Sequence, residues 1–263
     1  SAYQYGYSAD GYSDCDICCC TKPTNSVMIR LENITLGYEE RTLLKGASAT
    51  FERGTLTALL GRNGAGKSTL LRAIAALGKA ESGVMRLDGD DIKTLDSEQI
   101  ARRISFVTTD KVRIPNLMCR DVVALGRAPY TNWIGRMQDI DREIVAEALA
   151  AVGMSDFACK TMDSMSDGEC QRVMIARALA QQTPIILLDE PTAFLDLPTR
   201  HEVCALLHRL AHKEDKCVIF STHDLDIAMA QCDMAAIIDT PQLIHKPMGE
   251  VGEDVVRIFG ISK

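Results

Sequence analysis

From Met28 the chain alternates partly with period two, Met28-Ile-Arg-Leu-Glu-Asn-Ile-Thr-Leu36, the pattern of a half-buried strand. Ala47–Phe51 and Leu56–Leu60 read as a second and a third strand, after turns at Gly46 and Gly54. A glycine-rich stretch, Gly61–Thr69, follows, and Thr69–Leu77 has helical spacing closed by Gly78. Residues 97–165 read mainly as helix. Asp139–Val152 is the clearest case, its apolar Ile140, Ile144, Val145, Ala148, Leu149 and Val152 recurring at three and four. Beyond it the period keeps switching. Helices are predicted over Gly168–Gln182, Pro198–His212 and Asp224–Cys232, and strands over Ile185–Leu188, Cys217–Ser221 and Ala235–Ile238. Strands alternating with helices predict an α/β fold with a mostly parallel sheet.

Composition narrows this picture. The 263 residues are 46% hydrophobic and 25% charged, which suits one large globular domain or two small ones. No apolar run approaches the length that spans a bilayer, so any membrane crossing is expected to belong to another chain. The net charge of −7 argues against nucleic acid as a partner, because neutralising phosphates over a surface needs a basic excess. Cys119, Cys159, Cys170, Cys204, Cys217 and Cys232 are scattered singly, which reads as reduced and cytosolic. The other four cysteines, Cys15, Cys18, Cys19 and Cys20, crowd into the first twenty residues beside Tyr3, Tyr5, Tyr7 and Tyr12. Residues 1–27 are expected to be a disordered or artefactual tail. Cys15-x-x-Cys18 lacks the second pair that a metal site would need.

Gly61-Arg62-Asn63-Gly64-Ala65-Gly66-Lys67-Ser68-Thr69 has the spacing G-x-x-x-x-G-K-[ST] between a strand and a helix. Glycines let backbone N–H groups turn inward into an anion nest, and the helix that follows offers its positive end to the same phosphates. Lys67 would reach the β- and γ-phosphates, and the Ser68 hydroxyl would ligate Mg²⁺. The apolar strand Ile185–Leu188 ends in Asp189 and Glu190, at the sheet edge where α/β proteins bind ligands. Asp189 would hold Mg²⁺ and Glu190 would orient the attacking water.

Two further segments, Met165-Ser166-Asp167-Gly168-Glu169 and His223 after the strand Cys217–Ser221, complete a set that resembles the ATPase subunit of ATP-binding-cassette (ABC) transporters. The resemblance covers about Met28 to the C-terminus. It implies a P-loop core with a mostly parallel sheet, an antiparallel N-terminal β layer and a helical subdomain (97–165) inserted in a single domain, 28–263. By that resemblance Tyr38 stacks on adenine, and residues 61–69 bind the phosphates. Ser166, Gly168 and Glu169 belong to the signature that meets the γ-phosphate held by a second copy. Asp196 couples the two sites across the dimer, and His223 is the switch at the γ-phosphate. Ser166-x-x-Glu169 is also a capping box, sufficient to start a helix without any ligand.

The implied cofactors are ATP and Mg²⁺. The implied partners are integral membrane permease subunits, a second copy of the chain and, indirectly, a substrate-binding protein. The implied location is the cytoplasmic face of the inner membrane. Val123-Ala-Leu-Gly-Arg-Ala-Pro-Tyr130 resembles importers of iron-siderophores, haem and cobalamin, where the helical subdomain docks the membrane subunit. The bland reading is that Gly126 and Pro129 break a helix. Two positions depart from the family pattern. Thr109 stands where a metal-binding glutamine is usual, with Asp110 beside it, and Asp167 replaces the first glycine of the signature. These departures leave open a nucleotide-sensing subunit with weak turnover. A soluble ABC ATPase outside transport is the other alternative.

Overall fold

Two sheets and a helical layer share the interior. The computed structural model describes residues 27–39, 41–110, 115–131 and 137–260. The Cys/Tyr-rich segment, residues 1–26, lies outside the described residues, and Val27 already opens the first strand.

The strands in chain order are β1 (Val27–Tyr38), β2 (Arg41–Glu52), β3 (Leu56–Gly61), β4 (Ser82–Leu87), β5 (Asp90–Asp91), β6 (Ile104–Val107), β7 (Ile185–Leu188), β8 (Cys217–Ser221), β9 (Met234–Asp239) and β10 (Gln242–Pro247). The helices are α1 (Lys67–Ile74), α2 (Ser97–Ala101), α3 (Cys119–Ala124), α4 (Asp139–Ala151), α5 (Asp167–Ala180), α6 (Leu197–Glu214), α7 (Leu225–Gln231) and α8 (Gly252–Phe259). One sheet, ordered β2-β1-β4-β5, is antiparallel throughout. The other, ordered β10-β9-β3-β8-β7-β6, is parallel except for β10.

Every residue of β3, β7 and β8 is buried, which is why these segments read as continuous apolar runs rather than alternating ones. On one side, Ile29, Leu31 and Leu36 of β1 pack with Leu70, Leu71 and Ile74 of α1 against the core sheet. On the other, α3, α4, α5 and α6 converge on Leu188 and Phe220 through Val123, Leu149, Val173 and Leu207. The parallel core, the antiparallel layer and the helical layer match the expected architecture.

Several boundaries differ from the sequence reading, each for a local reason. β2 begins at Arg41, not Ala47. Gly46 lies inside the strand with φ +62°, beside a register shift against β1, and the chain reverses at Glu39 instead. α1 stops at Ile74, short of Gly78. Ala76 takes the left-handed conformation (φ +58°) while the Leu77 amide donates back to the Arg72 carbonyl at 2.8 Å. Within 97–165, Ile104–Val107 is a strand of the core sheet, so α3 and α4 after it carry the helical part. Ile140 is 54% exposed, outside the buried stripe of α4.

The Val123–Tyr130 segment turns its chemistry inward. A Cβ on Gly126 would stand 2.2 Å from the Arg177 carbonyl of α5, so only glycine lets the two backbones meet. Arg127 is buried. Its Nε bonds Asp141 Oδ1 of α4 at 2.9 Å, and an Nη donates to the Ala180 carbonyl at 2.8 Å, where α5 ends. The segment therefore ties three helices together as well as bending the chain.

Candidate active site

β3 delivers the chain into the loop that precedes α1. Gly64 (φ +74°) and Gly66 (φ +107°) adopt backbone that L side chains rarely take, and Gly66 is the N-cap residue of α1. A Cβ on Gly66 would press against the Leu43 side chain at 3.2 Å. No side chain caps this end, so the first amides of α1 remain for an anion.

Lys67 is 6% exposed, and its Nζ donates to the Gly61 carbonyl at 3.0 Å. Burial pushes its ammonium below the ordinary lysine value, while the Glu190 and Asp189 carboxylates pull it back up. A cation so placed between a glycine-rich loop and two acids is poised for a polyanion and its counter-cation.

The cleft has two adjoining parts that share Tyr38, Ser68 and Thr69. One, of about 760 Å³, is lined by Asn63, Gly64 and the loop residues from Gly66 to Thr69, by Glu190, and by Glu39, Arg41 and Leu43 near Tyr38. The other, of about 480 Å³, brings in Thr109, Asp110 and Asp189 beside Arg72 and Lys79. Tyr38 is 65% exposed at the mouth, free to stack on a base.

Asp189 is 3% exposed. Its Oδ1 accepts the Ser221 hydroxyl at 2.6 Å, and the same serine oxygen accepts the Glu190 amide N–H at 2.8 Å. Thr109 donates its hydroxyl to the Asp189 carbonyl at 3.0 Å. Asp110 faces Arg72 at 3.5 Å. His223 Nδ1 stands 3.7 Å from Glu190 Oε2, beyond a direct hydrogen bond and within reach of a small shift. Ser68, Asp189 and Thr109 offer hydroxyl and carboxylate oxygens around one part of the cleft, the hard donors that suit Mg²⁺.

Not every sequence-derived site residue meets there. Arg62 turns its guanidinium away and donates to the Ile258 carbonyl of α8 at 2.8 Å, so its side chain is engaged outside the cleft. Gly61 and Ala65 shape the loop without lining the cleft. Ser166, Gly168, Glu169 and Asp196 line neither part of it.

Ser166 caps α5. Its amide and hydroxyl both donate to Glu169 Oε2 at 2.8 Å, and these bonds hold the Glu169 carboxyl below its ordinary value. Asp167 sits in the first turn, where its charge suits the helix dipole. Gly168 abuts Phe194 and Leu195, just before Asp196. Asp196 in turn caps α6 through the Thr199 amide, and the bonds from Thr199 lower its carboxyl pKa. Ser166, Gly168, Glu169 and Asp196 thus gather at the N-terminal ends of α5 and α6, separate from the cleft.

Two features escaped the sequence reading. Arg41 and Leu43, which line the cleft with Tyr38, carried no signal beyond their closeness to it. Ser221 did carry one: it is a polar residue closing an otherwise apolar strand.

This fold and cleft define a P-loop nucleotide-binding cassette. A family profile described as "ABC transporter" matches residues 44–193. The chain belongs to the ABC transporter family, as its ATP-binding, ATP-hydrolysing subunit. It is 36% identical over 231 residues to the petrobactin import ATP-binding protein FpuD of Bacillus anthracis, covering 87% of this chain and 85% of that one. Among solved structures it is similar to a putative metal-chelate type ABC transporter in an inward-facing conformation, with TM-score 0.79 and 26% identity over 89% of this chain and 90% of that one. It is also similar to a dimeric ATP-binding cassette bound to ADP and Pi in a post-hydrolysis state, with TM-score 0.74 and 28% identity over 84% of this chain and 99% of that one. Among the described residues no helix is long and apolar enough to cross a membrane.

Proposed function

We propose that this chain powers import of a metal chelate, of the iron-siderophore, haem or cobalamin type, through separate permease subunits at the cytoplasmic face of the membrane. The observation that carries the reading is the division of the chain into two half-sites: a loop with its acids in one cleft, and a capped signature helix outside it. A second copy closing face to face would bring its Ser166 and Gly168 over the nucleotide held here. The names of the relatives as petrobactin-import and metal-chelate proteins support the substrate class. A substrate-binding protein outside the membrane would supply the chelate.

In this reading Tyr38 stacks on the adenine, and the amides of residues 61–69 with Lys67 hold the β- and γ-phosphates. Ser68, Asp189 and Thr109 would hold Mg²⁺, which supplies neutralisation of the charge on the phosphates when bound. Glu190 orients water in line with the γ-phosphate and takes its proton. His223, 3.7 Å from Glu190 Oε2, would contact the γ-phosphate. Closure binds ATP better than ADP and phosphate, so hydrolysis reopens the pair and resets the permease. In this reading the exposed Leu125 of the helical layer would meet the permease.

The test is reconstitution with the permease and binding protein in vesicles. ATP turnover is expected to rise when the binding protein carries a ferric siderophore, haem or cobalamin. Stimulation by a sugar or an amino acid alone would overturn the substrate class. Failure to assemble with any permease would favour a soluble ATPase.

A further inference from the structure

We infer that Ser221 is a positioning residue of the hydrolytic centre, holding both carboxylates at once through one buried hydroxyl. It closes β8 beside the end of β7 and is fully buried. A carboxylate oxygen accepts only, so the serine proton points to Asp189 Oδ1, at 2.6 Å. The serine oxygen is then free to receive the Glu190 N–H at 2.8 Å.

Asp189 is gripped from the other side as well. Its amide donates to the Val107 carbonyl at 2.8 Å, and its carbonyl accepts Thr109 at 3.0 Å. β6 and Thr109, two residues beyond its end, thus fix the main chain, while β8 fixes the carboxylate and leaves Oδ2 for the cleft that Asp189 lines. Glu190 has φ +46°, uncommon for a residue with a Cβ, and its amide bond to Ser221 holds that bend. An apolar residue at 221 would satisfy the burial but leave the Glu190 amide without its acceptor and Asp189 free to change rotamer. Ser221 also stands two residues before His223, so the same strand end carries the group facing Glu190 Oε2. The hydroxyl is the point where β7 and β8 share one geometry.

This inference rests on Asp189 facing the metal ion and Glu190 facing the water. The full chain is compared with Ser221→Ala and Ser221→Thr. The readouts are the Mg²⁺ concentration for half-maximal binding of a fluorescent ATP analogue, kcat and KM for ATP, and the thermal midpoint. Groups that orient a metal ligand are each worth about 10–100-fold in metal affinity or activity, so Ser221→Ala is expected to need about tenfold more Mg²⁺ and to lose about tenfold in kcat. Its KM and its nucleotide affinity in EDTA should stay within about twofold of the parent. Ser221→Thr, which keeps the hydroxyl, should restore both to within about twofold. Should Ser221→Ala not fold, Ser221→Cys replaces it, since a thiol fills the space and is a weak donor, and the same Mg²⁺ shift is expected.

Parent-like Mg²⁺ dependence and kcat in the hydroxyl-free variant would overturn the inference, and so would equal damage in Ser221→Thr. Glu190→Gln, run alongside, separates the two failures. If Glu190→Gln hydrolyses ATP normally, the reading of the carboxylates is wrong. If it is dead while Ser221→Ala is normal, only the role of Ser221 falls.

Discussion

The ammonium of Lys67 donates to the carbonyl of Gly61 at 3.0 Å, closing the phosphate loop on itself from the first residue of its own helix. The cation is held by a neutral acceptor, and a phosphate replaces that contact with one between two full charges at low effective dielectric. Lys67→Met is therefore expected to weaken ATP binding by at least about tenfold, or about 1.4 kcal/mol, in a fluorescent-nucleotide titration.

The same substitution has a stability signature of opposite sign. Burial places the folded pKa of Lys67 below its ordinary value of 10.5, so just under that value the unfolded chain binds more protons than the folded one. Stability of the parent should rise with pH through this alkaline window. Lys67→Met should lack the rise and match or exceed the parent at neutral pH in urea melts. A melt that tracks the parent through the window would mean the lysine is solvated.

Glu190→Gln keeps the size and the main-chain N–H bond to Ser221 but removes the carboxylate proposed to take a proton from water. Turnover is expected to drop by about 10²-fold or more, the usual scale for a lost general base, with ATP affinity preserved. Size-exclusion chromatography with Mg²⁺ and ATP should then show a lasting dimer that the parent forms only briefly. Parent-like turnover would show that another group positions the water.

The site was legible wherever its chemistry lies in consecutive residues. Gly61–Thr69 carries glycines, lysine and hydroxyl in nine positions, and Ile185–Glu190 joins an apolar strand to its acids. The polarity of Ser221 was visible at the end of its apolar strand but its partner was not, because its bond to Glu190 spans 31 positions and exists only once β7 and β8 are neighbours. Arg62 shows the same limit in reverse: it stands within the motif, while its side chain answers to the Ile258 carbonyl 196 positions away. In the fold, β6 hid in a helical reading because it is four residues long and buries a serine, Ser105, that breaks its apolar run. β10, with its half-buried Ile244, His245 and Lys246, shows no clean alternation, being an antiparallel edge strand.

Gly126→Ala tests whether the Gly-Arg-x-Pro segment is a packing device. The added methyl would meet a main-chain carbonyl, that of Arg177, which cannot rotate aside. Overpacking of this kind costs about 1–3 kcal/mol, so the urea midpoint should fall accordingly with the m-value unchanged. Pro129→Ala, by contrast, should leave the midpoint nearly unmoved if bending the helix is not the main role of the segment. A neutral Gly126→Ala would return Gly126 to a mere helix breaker.

Arg127 and Asp141 carry the last prediction, because they join α4 to the end of α5. Both side chains are nearly inaccessible and meet at 2.9 Å, and Asp141 Oδ2 also accepts the Gln138 amide at 2.9 Å. The Gln138 amide first, and Arg127 after it, hold the Asp141 carboxyl below its ordinary 3.8 against the desolvation that opposes them. A folded pKa below the unfolded one means stability is present in full above about 3.8 and is lost as pH falls through the lowered value. Asp141→Asn should therefore cost about 3 kcal/mol at neutral pH, since Arg127 is left buried without its carboxylate. It should also flatten the acid limb of the stability curve relative to the parent. Parallel acid limbs would place the pair in effective contact with water, and the tie between Arg127 and the Ala180 carbonyl would then be the interaction holding α5 to the layer.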